Sequence, residues 1–66
     1  MINLWDYASR RVEVECLDGE RLTGDVIDVS AKEDAGDAED SLSLELADGR
    51  IIGLFPSEIR QITIRE

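Results

Sequence analysis

Few side chains in this sequence can do chemistry, and the absent ones decide most. The chain has 66 residues, no histidine, one cysteine (Cys16) and one lysine (Lys32). A serine or cysteine nucleophile needs a base within reach to take its proton, so Ser-His and Cys-His arrangements are impossible. Two carboxylates can divide acid and base roles only where their surroundings push the two pKa values apart, and carboxylates in a solvated loop lack such surroundings. No glycine-rich phosphate loop is present. The reading is therefore of a protein that binds rather than catalyses, with no cofactor and no catalytic residue. Asp34, Asp37, Glu39 and Asp40 are weak candidates for a calcium or magnesium site, because both ions take oxygen ligands. Their spacing departs from an EF-hand loop, and a charge-repelled, solvated segment explains them better.

Charge narrows the partners. The formal net charge is −9, from 16 acids and 7 bases. Glu33, Asp34, Asp37, Glu39 and Asp40 crowd into one stretch without a base, and the remainder is acidic too. Nucleic-acid affinity comes largely from cations that replace phosphate counterions, which disfavours a polyanion partner. No apolar run approaches the roughly 20 residues of a membrane span. Asp6 lies where a signal peptide would carry bases. With a single cysteine and no disulfide, the expected setting is cytoplasmic.

The elements that must position these groups read as nearly all β in a single domain over 1–66. A short helix is expected over about 3–9, capped by Asn3 and too short to stand without docking. Leu4, Trp5 and Ala8 offer apolar surface for that, with Trp5 and Tyr7 as aromatic anchors. Strand one spans 11–17, alternating Val12, Val14 and Cys16 with Glu13 and Glu15. Cys16 reads as a small buried apolar residue. Asp18-Gly19 and Asp48-Gly49 are hairpin signals, because glycine accepts positive φ. Strand two spans 21–29, with Gly24 where a missing side chain permits a sharp bend. The acidic stretch, about 30–40, reads as a solvated loop. Strand three, 41–46, turns Leu42, Leu44 and Leu46 one way. Strand four, 50–55, carries apolar side chains on both faces, as a strand covered on both sides does. Pro56 ends it, a turn follows at 57–59, and strand five, 60–65, places Ile62 and Ile64 inside.

Val12-Glu13-Val14, Asp18-Gly19, Gly24 before Val26, the leucine alternation and the Ile59/Ile62 pair, in this order, resemble the Sm and Sm-like (LSm) family. The resemblance covers about residues 4–64. Asp6-Tyr7, Asp40-Ser41 and Ser57-Glu58-Ile59 are similar to a group of small Sm-like proteins of Gram-positive bacteria with no assigned activity. The resemblance implies a five-stranded, strongly bent Sm-like (SH3-type) barrel over about 11–65. It also implies assembly into a homo-oligomer through pairing of strand four with strand five of the next subunit. Ile51, Ile52, Leu54, Ile62 and Ile64 are the candidate interface residues.

The resemblance also points to the loops after strands two and four as a ligand surface, at Ser30, Lys32, Phe55, Pro56 and Ser57. Here the chain departs from its relatives. The family's RNA-gripping Arg-Gly aligns with Phe55-Pro56. The Tyr-Lys-His run of the bacterial host-factor RNA chaperone aligns with Phe55, Pro56 and Ser57. Residues 30–34 hold Lys32 as their only cation and no asparagine. Two readings follow. The first is a non-catalytic Sm-like scaffold mediating protein interaction. The second is an RNA- or single-stranded nucleic-acid-binding ring with a non-standard site.

Overall fold

A computed structural model describes residues 2–66. The chain is mainly β, with five antiparallel strands in one sheet: β1 (Arg11–Cys16), β2 (Arg21–Ser30), β3 (Ser41–Leu46), β4 (Ile51–Leu54) and β5 (Ile59–Ile64). Their order across the sheet is β4-β3-β2-β1-β5. One apolar cluster lies against it, drawing Val12, Val14 and Cys16 from β1, Val26 and Val29 from β2, and Leu42 and Leu44 from β3. Leu54, Ile59 and Leu4 complete the cluster.

Two hairpins repeat one local solution. Gly19 and Gly49 take φ of 92° and 89°, values that glycine reaches without a Cβ penalty. In each, the aspartate carboxylate accepts from the main-chain N–H two residues on, Asp18 from Glu20 at 2.9 Å and Asp48 from Arg50 at 3.0 Å. The Asp-Gly reading therefore holds at both turns.

β2 is the shared strand. Its first half pairs with β1 and its second with β3, and Gly24 belongs to both ladders, opposite Val12 and Leu46. A register shift falls between Val26 and Asp28. Such a bulge bends a strand and changes which face its residues use. Accordingly Gly24 and Val26 are buried, Ile27 and Asp28 both face solvent, and Val29 is buried again. A second shift, between Glu15 and Cys16 of β1, leaves Arg60 of β5 unopposed.

Three expectations need correction. The N-terminal segment is a single 3₁₀ turn, Leu4–Tyr7, rather than an α-helix over 3–9, although Asn3 does cap it through Oδ1 to the Trp5 N–H at 3.1 Å. Three residues per turn put Leu4 and Tyr7 on one side. Leu4 is buried and Tyr7 packs against the core, whereas Trp5 is 51% exposed and lies outside the core cluster. The acidic stretch is not structureless: it contains one helical turn, α1 (Lys32–Ala35), ended by Gly36 at φ 73°. Asp40 accepts from the Lys32 main-chain N–H at 2.9 Å, a local bond that composition does not reveal. Within the single chain, β4 is covered on one face only. Ile52 and Leu54 face inward with Leu44 and Leu42, while Ile51 projects outward beside Glu45 and is 59% exposed.

The outer face of β1, β2 and β5 is laced with ion pairs. Arg65 meets Glu13 at 2.7 Å and Arg60 meets Glu15 at 3.8 Å. The Arg65 hydrogen bond holds the Glu13 carboxyl below its ordinary value. A lowered folded-state pKa contributes stability that is present above the unfolded value and is lost as pH falls through the folded one. The melting-temperature gap between the wild type and Glu13→Gln should therefore narrow as pH drops below the usual glutamate range. A gap that stays constant in an acid titration followed by circular dichroism would show that the pair contributes nothing.

Candidate binding site

Three segments distant in sequence meet at one end of the sheet: the N-terminal 3₁₀ turn, the β2–β3 connection, and the corner between β4 and β5. The corner is a second 3₁₀ turn, Pro56–Glu58. It starts at Pro56, whose fixed φ suits a first helical position, and the Glu58 carboxylate accepts from the Phe55 N–H at 3.0 Å. Between the three lies a cleft of about 530 Å³, lined by Ile2, Asn3, Leu4, Lys32, Ala38, Glu39, Asp40 and Pro56.

The predicted ligand residues divide around this cleft. Lys32 and Pro56 line it together, although 24 positions separate them in the chain. Ser57 lies just outside, where its main-chain N–H donates to Glu39 Oε1 at 3.1 Å and its hydroxyl donates to Glu39 Oε2. The acidic connection is thus strapped to the corner turn by one carboxylate. Ser30 ends β2 opposite Ser41, donates its hydroxyl to Asp28 at 3.1 Å and does not line the cleft. Phe55 is half-buried and does not line the cleft.

Sequence reasoning missed Glu39 as a strap and Ile2, Asn3 and Leu4 as walls. Nothing local signals a contact between residues 18 positions apart. Of the weak metal candidates, Asp34 and Asp37 are exposed, while Glu39 and Asp40 bond to Ser57 and to the Lys32 N–H. Among the described residues no group of three or more His, Cys, Asp or Glu is gathered for a metal ion.

A second cavity, of about 470 Å³, opens between the β1–β2 hairpin and β4. Cys16, Leu22, Ile52 and Leu54 line its apolar side and Asp18, Glu20 and Glu58 its rim. Cys16 is buried there as expected. Desolvation first, and then the surrounding carboxylates, push its thiol up, so the reactive thiolate is scarce.

Cations are mostly committed. Arg10, Arg11, Arg50, Arg60 and Arg65 each form a salt bridge, which leaves Arg21 and Lys32 without one among the described residues. The candidate interface residues also divide. Leu54 is buried and Ile52 and Ile62 pack on the core, so they serve the chain's own fold. Ile51 and Ile64 are exposed. Ile64 faces the same side as Val12, as its sequence pattern indicates, but at the strand end it is 42% exposed.

Fold and cleft together define a small, mainly β protein built on one five-stranded antiparallel sheet. No helix among the described residues is long and apolar enough to cross a membrane. Comparison with the models of known families, with curated proteins and with solved structures finds no match to the chain.

Proposed function

We propose that this chain is a non-catalytic Sm-like binding and scaffold module that assembles as a homo-oligomer and mediates protein interaction. One observation carries the reading: β4 and β5 are the two unpaired outer strands of the sheet, and each bears an exposed isoleucine, Ile51 and Ile64. Open edges with apolar side chains invite strand pairing, and a domain of this size gains most from the added burial. Pairing β4 of one subunit with β5 of the next satisfies both edges at once. The five-strand count and the hairpin at Asp18-Gly19 are compatible with the Sm-like resemblance.

The competing reading, a ring that binds RNA or single-stranded nucleic acid through an altered site, draws on the meeting of Lys32 and Pro56 in one cleft. Against it stand the salt-bridged arginines and the two carboxylates beside Lys32. Sedimentation of the full chain is expected to give an oligomer that Ile51→Lys dissociates. Labelled oligo-U and oligo-A are expected to show no binding at micromolar protein. A monomer at all concentrations overturns the assembly. Micromolar oligo-U affinity with a steep salt slope establishes the competing reading instead.

A further inference from the structure

The cleft between the N-terminal turn, the acidic connection and the corner turn is not used by pairing through β4 and β5. Its lining is apolar at Ile2, Leu4, Ala38 and Pro56 and carries Glu39, Asp40 and Lys32 as its charged groups. Both carboxylates are fixed in place, Glu39 by Ser57 and Asp40 by the Lys32 N–H. Their hydrogen-bond donors are neutral and neither forms a salt bridge among the described residues. Lys32 also lines the cleft, so its lining sets one cation against two carboxylates and is net negative. Glu33, Asp34 and Asp37, on the same connection, deepen the negative potential around the opening.

A partly apolar lining with two held carboxylates and a net negative charge suits a side chain that is itself apolar along its stem and cationic at its tip. Lysine and arginine have that form. The volume, about 530 Å³, lies in the range of ligand-holding clefts and leaves room for apolar neighbours of the basic residue. We propose that this cleft receives a lysine or arginine side chain, with its flanking apolar residues, from an extended basic segment of a partner polypeptide. The assignment rests on the protein-interaction reading above and gives that partner a chemistry. A nucleic acid in the same place would set phosphates against two held carboxylates, a like-charge contact that repels.

The test uses two end-blocked, fluorescein-labelled hexapeptides, one alternating lysine with leucine and the other glutamate with leucine, read by fluorescence anisotropy on the full chain. The double variant Glu39→Gln/Asp40→Asn removes both charges while keeping one acceptor oxygen at each position, enough for the Ser57 and Lys32 N–H bonds. The Ser57 hydroxyl can accept from the new Gln amide instead of donating, and unchanged thermal melting will show that the fold tolerates the change. Glu20→Gln/Glu45→Gln removes equal charge away from this cleft. The basic peptide is expected to bind the wild type, to lose about tenfold in affinity on the cleft variant, and to lose less than about twofold on the control, because close pairs outweigh the general field. The acidic peptide should not bind. Equal losses on the two variants overturn the cleft assignment while leaving a basic protein partner in place. No binding of the basic peptide overturns the assignment outright, and oligo-U binding in its stead overturns the protein-interaction reading as well.

Discussion

Gly24→Ala is expected to cost about 3 kcal/mol, the upper range for forcing atoms into packed space. A domain below about 70 residues rarely holds more than ~3–5 kcal/mol, so the variant should be largely unfolded in mild urea where the wild type is folded. The reason is one atom. A Cβ at position 24 would overlap the Glu45 carbonyl oxygen and sit 2.9 Å from its carbon and 3.2 Å from Leu44 Cγ. The first two are backbone atoms of β3, held by ladders to β2 on one side and β4 on the other. They cannot swing aside as a flexible side chain would. The matched control is Gly53→Ala, where an added Cβ meets nothing within 4 Å. That change should be neutral or slightly stabilising, since glycine weakens a strand interior. Equal urea midpoints for the two variants would contradict the close approach at Gly24.

Leu44→Ala is expected to cost about 3–4 kcal/mol, within the range for leucine truncation in a packed core. Leu44 is 0% exposed and lies opposite Val26 on one side and Ile52 on the other, so the void would open where three strands meet. Leu44→Met, which nearly conserves volume, should cost less than about 1.5 kcal/mol. Leu17→Ala, on a side chain 58% exposed, should change stability by no more than about 0.5 kcal/mol. Denaturant curves must be taken at one protein concentration, because assembly would add a concentration-dependent term. A Leu44→Ala midpoint within error of Leu17→Ala would mean that the centre of the core lies elsewhere.

Both residues were legible in the sequence, for reasons that also mark the limit of legibility. Leu44 belongs to a period-2 run, and alternation is a local signal that survives without knowledge of neighbours. Gly24 is marked as a lone glycine within a strand pattern and reads as a bend, but the register shift falls between Val26 and Asp28, and what requires glycine at 24 is the close approach of Glu45. The Asp-Gly pairs signal their turns through backbone chemistry alone. The misreadings came where a local signal was ambiguous. Trp5 and Tyr7 both look like anchors, and only the tighter 3₁₀ period decides that Leu4 and Tyr7 share the inward side. The bulge at Ile27 left no mark on composition, yet it exposes that isoleucine and returns Val29 to the core. The cleft was only half legible. Lys32 and Pro56 were singled out, but Ile2 to Leu4 and the Glu39 strap join them through contacts that depend on the whole sheet being formed.

The strand order carries a kinetic consequence. Pairs β1–β2, β2–β3 and β3–β4 join neighbours in the chain, whereas β1–β5 joins partners such as Val12 and Ile64, 52 positions apart. Closing a loop of that length costs entropy before any contact repays it, and such non-local pairing slows folding. The three neighbouring pairings need only short closures and can form early, although they share β2 and β3. Docking of β5 is therefore expected to be the slowest closure, and its detachment would uncover the β1 edge that carries Val12 and Val14.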